Sequence, residues 1–174
     1  MQVPRPIRIE GDVAYVPLTK GYVAIIDVED VPLVEGWNWT ALVQVGTVYA
    51  YRRAARGADG KQAAIRMHRV IMGDPPGLLV DHRDGNGLNN RKRGEAGNLR
   101  VATKSQNGLN SRPMQGKSSA LKGSAWDAER GKWRSDIMVN GQRKYLGHHT
   151  TETAAHAAYC DAAAELHGEF RRTK

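Results

Sequence analysis

The first 72 residues carry hydrophobic positions with a period of two. Ile7 and Ile9 alternate with Arg8 and Glu10, and Gly11-Asp12 then turn the chain. All of residues 7–26, IRIEGDVAYVPLTKGYVAII, reads as short strands. DVEDVPLVEGWNW breaks the pattern, with a helical turn expected at 28–34. Strand character returns in TALVQVGTVYAYRRAARGADGKQAAIRMHRVI, where Ala58-Asp59-Gly60 suits a hairpin tip. Residues 1–72 are therefore expected to form a small, mostly antiparallel β unit. GDPPG at 73–77 ends it, because proline has no N–H for a sheet ladder.

A different pattern occupies the C-terminal third. NSRPMQGKSSALKG, 110–123, is rich in Ser, Gly, Pro and Lys and reads as a linker. SAWDAERGKWRSDIMVNGQRKYLG is strand-like, with Asn140-Gly141 as the strongest hairpin signal in the chain. A two-residue turn there pairs 138 with 143 and 136 with 145. Alternation then places Arg134, Asp136, Met138, Arg143 and Tyr145 on one face. Trp133, Ser135, Ile137 and Leu146 fall on the other. TTETAAHAAYCDAAAELHG reads as a helix capped by Thr150 or Thr151, with Glu152 in the first turn and Gly168 as the stop. Its alanines imply close packing against that sheet. Trp126 and Trp133 are expected in the core, and Cys160 as a small buried residue on the helix. His148 and His149 are expected in a turn or at the surface, and His156 and His167 facing solvent.

Charge adds a partner. The formal net charge is +8 and the sequence pI about 9.8. That excess points to a polyanion, nucleic acid first and a membrane surface second. The one cysteine excludes an intrachain disulfide and a cysteine-rich zinc finger, and suggests a reducing cytoplasm. No long apolar segment follows the start of the chain, so neither a secretory signal nor a membrane span is expected.

The candidate chemistry lies in residues 78–107, LLVDHRDGNGLNNRKRGEAGNLRVATKSQN. An apolar run ends in Asp81-His82, followed by turn formers and a basic run. DGNGLNN by itself is a turn. It is no EF-hand, since no glutamate stands where the bidentate ligand belongs. Phosphodiester hydrolysis needs a base for water, a counter-charge for the transition state and support for the leaving oxygen. Histidine suits the first role at neutral pH. A hard divalent ion suits the others, held by a carboxylate such as Asp81 and an asparagine oxygen. Arg91-Lys92-Arg93 fits a solvated bulge and a phosphate contact equally well.

The segments VDHRDGNGLNN, NLRVAT and SQN together resemble the HNH (ββα-metal) nuclease motif, in the branch of phage and intron-encoded homing endonucleases. The resemblance implies His82 as general base and Asp81 as a metal ligand. It implies Asn98, sixteen residues after His82, as the brace of the histidine loop. Asn107, nine residues further on, stands at the second metal-ligand position, often a histidine. Asparagine there favours one Mg²⁺ or Mn²⁺ ion over Zn²⁺. MHRVIMG is similar to the segment that precedes the motif in this branch, with His68 and Arg69 bracing the fold or touching a phosphate.

Residues 118–170 resemble the plant ethylene-response-factor (Apetala) type of DNA-binding domain, with three strands and a helix. Ala125 and Met138 stand where that family often has arginine. The resemblances imply an α+β protein: an N-terminal antiparallel β unit leading into a ββα-metal core over 1–110, a linker over 111–122, and a small sheet with one helix over 123–174. Expected DNA contacts are Arg130 and Lys132 at the first sheet turn, Arg134, Asp136, Arg143 and Tyr145 on the open face, and Arg69 and Arg100 in the nuclease half. The implied activity is metal-dependent nicking of double-stranded DNA, by a monomer, in the cytoplasm of a phage-infected bacterial cell. The alternative is a non-catalytic DNA-binding regulator with a relic nuclease core. An RNA-directed nuclease is disfavoured, because the A-form major groove is too narrow for such a sheet.

Overall fold

The computed structural model describes residues 3–111, 119–139 and 141–171. The chain divides into two compact units, Met1–Ala102 and Thr103–Lys174. Among the described residues no helix is long and apolar enough to cross a membrane.

The first unit is built from three small antiparallel pieces. Strands β1 (Arg8–Glu10), β2 (Val13–Pro17) and β3 (Val23–Asp27) form a meander. The alternation read from sequence sends Ala14 and Val16 of β2 into the core, where they meet Ala24 and Ile26 of β3. Strands β4 (Thr40–Gln44), β5 (Thr47–Arg53) and β6 (Ala64–Arg66) form a second meander. The tip between β5 and β6 closes at 57–60, where Gly60 N–H donates to the Gly57 carbonyl at 2.9 Å. A single helical turn at Val28–Asp30 runs into α1 (Val31–Val34), as the break at 28–34 predicts. Trp39 is 1% exposed, and its indole N–H donates to the Val34 carbonyl at 2.9 Å. That bond removes the cost of burying an unpaired N–H.

Two expectations change here. The strand pattern expected to run through Met67–Ile71 becomes a short helix, α2 (Met67–Ile71), that buries Met67, His68 and Ile71. A spacing of one and four positions faces one side of a helix, whereas a strand would split Met67 from His68. The basic run 91–93 is fastened inward at Arg91 and Lys92, which are half-buried, while Arg93 is exposed. Asp27, 1% exposed, accepts from Arg91 Nε at 2.7 Å and from the backbone N–H groups of Lys92 and Arg93 at 2.8 and 3.0 Å. Lys92 Nζ lies 2.8 Å from buried Asp30 and donates to the Ile71 carbonyl at 2.8 Å. These pairs tie the 91–93 segment to β3 and to the helical turn at Val28–Asp30.

The motif itself forms the third piece. Strands β7 (Leu79–His82) and β8 (Leu99–Ala102) pair antiparallel, with Asp81 opposite Arg100 and His82 opposite Leu99.

In the second unit, α3 (Lys104–Leu109) opens with a capping box between Thr103 and Gln106. Strands β9 (Ser124–Asp127), β10 (Lys132–Val139) and β11 (Gln142–His149) form an antiparallel sheet in the order β11-β10-β9. The register is the one read from the turn: Met138 faces Arg143 and Asp136 faces Tyr145. Asn140 and residues 112–118 of the expected linker lie outside the described residues. Helix α4 (Glu152–Leu166) begins at Thr151, whose hydroxyl accepts from Ala154 N–H at 3.1 Å. It buries Ala155, Tyr159 and Ala163, one residue per turn, and Tyr159 and Ala163 cluster with Ile137. Tyr159 packs so closely on Gly123 that a Cβ there would sit 2.1 Å from the ring. Two readings are corrected. His167 is buried at the end of α4, with Nε2 2.8 Å from the Met138 carbonyl, because the helix end leans on the sheet. Trp126 is 45% exposed and meets Trp133 edge-on at 5.4 Å, since β9 is an edge strand.

Candidate active site

The turn formers after His82 build a stiff loop. Asp84 accepts from Asn86 N–H at 2.7 Å and from Asn89 Nδ2 at 3.0 Å, and Asn86 Oδ1 accepts from Leu88 N–H at 3.1 Å. Such Asx bonds replace a sheet ladder with local side-chain partners. The loop is then stitched to β3: Ile25 N–H donates to the Leu88 carbonyl at 2.8 Å, and Asn90 N–H to the Ile25 carbonyl at 2.7 Å. On its other side it meets β5. A Cβ on Gly87 would lie 2.5 Å from both the Tyr49 ring and the Val48 carbonyl, so the position admits only glycine without a shift.

Within this frame the Asn98 side chain bridges two backbone groups of the loop. Its Oδ1 accepts from Asp84 N–H at 2.9 Å, and its Nδ2 donates to the Asn89 carbonyl at 2.7 Å. Both ends of the loop are thereby held by one buried amide. His82 is 5% exposed, and its Nε2 lies 3.1 Å from Asn90 Oδ1. Its ring meets His68 edge-on at 5.0 Å and Tyr49 at 5.7 Å. Burial lowers the pKa of His82, against the opposing pull of the Asn90 hydrogen bond and of Asp84 and Asp81. Burial also drives His68 down to about 3, helped by His82, Arg66 and Arg69. Both imidazoles are therefore neutral near pH 7, the form in which a histidine accepts a proton.

Asp81 is 6% exposed, and its Oδ2 accepts from Arg100 Nε at 2.8 Å and Nη2 at 2.7 Å. Arg100, expected at a phosphate, is itself 7% exposed and serves as this internal counter-charge. Arg69, also expected at DNA, fastens the turn after α2. It donates to the Leu78 and Pro75 carbonyls at 2.9 Å each and pairs with Asp74. Both arginines thus have partners inside the fold. Asn107 lies on α3, in the other unit, with its N–H on the Thr103 carbonyl at 2.9 Å. Among the described residues no three His, Cys, Asp or Glu side chains form a metal-binding group.

The sheet residues expected at DNA form local pairs. Arg134 Nε lies 2.8 Å from Asp136, and Arg130 Nη1 lies 3.3 Å from Asp127. Tyr145 is 54% exposed, with its hydroxyl 2.5 Å from His148 Nδ1, and His148 Nε2 lies 2.9 Å from Asp127. Lys132 and Arg143 are exposed. Three residues at the His82 centre escaped sequence reasoning in that role: Asn90, Tyr49 and, as a ring neighbour, His68. Asn90 was visible only as half of an Asn-Asn doublet, and nothing local marks Tyr49.

No family model and no solved structure matches the chain. Over 99 residues it is 34% identical to Protein 3.8 of Escherichia phage T7, covering 56% of this chain and 77% of that one. Over 157 residues it is 30% identical to an uncharacterized HNH endonuclease of Acanthamoeba polyphaga mimivirus, covering 87% of this chain and 74% of the relative. That alignment spans most of both proteins, and with it the chain belongs to the HNH endonucleases.

Proposed function

We propose that the protein is a metal-dependent, homing-type endonuclease that nicks double-stranded DNA, with His82 as general base. The observation that supports this best is the buried His82 loop, held at both ends by Asn98 and carrying a neutral imidazole. A fixed, neutral imidazole is suited to take a proton from water as it attacks phosphorus, a contribution of about 10²–10⁴-fold. One Mg²⁺ or Mn²⁺ ion would be held at Asp81. A carboxylate oxygen is the hard donor such ions prefer. When bound, such an ion supplies charge for the phosphate and the leaving oxygen.

The C-terminal sheet is proposed as an ethylene-response-factor type reader. Its three strands and helix, with Arg130, Lys132, Arg134, Arg143 and Tyr145 on or beside the open face, support that reading. One reaction centre per chain implies a single-strand cut by a monomer. The phage relative fits a site of action in phage-infected cells.

A second reading is favoured by the buried Asp81–Arg100 pair, which already neutralises the carboxylate: a DNA-binding regulator with a relic nuclease core. Incubating supercoiled plasmid with the purified protein separates the two. Open-circle product that appears with Mg²⁺ or Mn²⁺ and vanishes with chelator supports the nuclease. DNA retardation without cutting under any divalent ion supports the regulator.

A further inference from the structure

The contacts around Asn90 reach beyond its place in a turn. Asn90 is fully buried, and its side chain touches three groups. Its Oδ1 faces His82 Nε2 at 3.1 Å. Its Nδ2 donates to the Leu88 carbonyl at 3.2 Å and points to Met67 Sδ at 3.8 Å. An amide can be turned end for end without changing its shape, so its neighbours must decide the orientation. The Leu88 carbonyl decides here, because it can only accept. Turning the amide would set its oxygen against that carbonyl oxygen at 3.2 Å, two acceptors face to face with no hydrogen between them. The Leu88 carbonyl cannot swing away, since it also accepts from Ile25 of β3 at 2.8 Å.

With the amide fixed, Oδ1 can only accept from the ring. His82 Nε2 must then carry the proton, and the basic lone pair of the neutral imidazole lies on Nδ1. We propose that Asn90 is a positioning residue of the nuclease site that selects the Nε2–H tautomer of His82 and so makes Nδ1 the atom that receives the proton from water. The backbone of β3, through Ile25, fixes Leu88, Leu88 fixes Asn90, and Asn90 fixes the ring. Strand β3 thereby bears on the chemistry through two backbone hydrogen bonds. The inference rests on His82 being the base.

The test is the nitrogen-15 spectrum of the His82 ring in protein labelled at histidine, read together with plasmid nicking. In the wild type Nε2 is expected to show as protonated and Nδ1 as the bare, pyridine-type nitrogen. Asn90→Leu, nearly equal in volume, removes the acceptor; the ring should then show both tautomers, and nicking should fall by roughly 10²-fold or more. Asn90→Asp keeps an acceptor towards the ring and should retain the Nε2–H form and much of the rate. A wild-type ring protonated on Nδ1 overturns the inference whether or not the variants fold. So does a folded Asn90→Leu protein with unchanged tautomer and rate. Undiminished cutting by His82→Ala is a separate result, and sinks the assignment of the base instead.

Discussion

Replacing Asp27 with asparagine should unfasten the basic segment from β3. Asp27 sits at 1% exposure and accepts three hydrogen bonds, one from Arg91 on Oδ1 and two from the backbone at Lys92 and Arg93 on Oδ2. Asparagine has the same shape but offers one acceptor atom and two donor hydrogens. In one orientation its NH₂ confronts Arg91 Nε–H; in the other it confronts two backbone N–H groups. A hydrogen bond to a charged group contributes about 1.5–3 kcal/mol, and a stranded donor costs about 1–3 kcal/mol more. Together these give about 2.5–6 kcal/mol, which brackets the roughly 3–5 kcal/mol found when one member of a buried ion pair is removed. With a urea slope of about 2 kcal/mol/M, the midpoint should fall by about 2 M with the slope unchanged.

The effect should also depend on pH in a defined sense. Burial raises the Asp27 pKa, but the Arg91 bond and the backbone N–H groups of Lys92 and Arg93 outweigh it and hold the carboxyl below its ordinary value. A lowered pKa in the folded state means stability that is complete above the unfolded value of about 3.9 and is lost as pH falls through the folded one. The gap between wild type and Asp27→Asn should be flat from pH 5 to 8 and close in stronger acid. A loss under about 1 kcal/mol at pH 7, or a gap that widens in acid, would refute the anchoring role.

Three further outcomes follow from the same contacts. Gly87→Ala places a methyl 2.5 Å from Tyr49 and Val48 and should cost about 1–3 kcal/mol by thermal melt, with nicking reduced as the loop shifts. Arg100→Met leaves Asp81 buried without its guanidinium partner and should destabilise by about 3–5 kcal/mol, whereas joint replacement of Asp81 and Arg100 by apolar residues should recover much of that loss in urea titrations. Arg143→Ala should weaken DNA retardation and lower the slope of log affinity against log salt by about 1, leaving the melting temperature unchanged.

Local features were legible in the sequence, and distant partnerships were not. The Asn140-Gly141 turn predicted the pairings 138–143 and 136–145, because a two-residue turn fixes register by counting. Thr151, Glu152 and Gly168 marked the ends of α4, because caps are local chemistry. Helix α2 was missed because five residues hold too little periodicity to separate it from the strand before it. The run 91–93 was undecided because its partners, Asp12, Asp27 and Asp30, lie more than sixty positions earlier. In the candidate site, Asp81, His82 and Asn98 were named from the resemblance to the HNH motif. Asn90 was hidden because an asparagine in a turn and an asparagine aimed at an imidazole look alike in one dimension. Arg69 and Arg100 were read as phosphate contacts because a basic protein invites that reading; only burial and named partners show the work they do inside the fold.

The central claim is that the His82 imidazole removes the proton from attacking water at a DNA phosphate. The most direct measurement is the single-turnover nicking rate of His82→Ala beside wild type, at saturating Mg²⁺, with binding to the same plasmid followed in parallel. The account predicts a rate lower by about 10²–10⁴-fold with affinity within a few-fold of wild type. A variant that binds and cuts at the wild-type rate would contradict it.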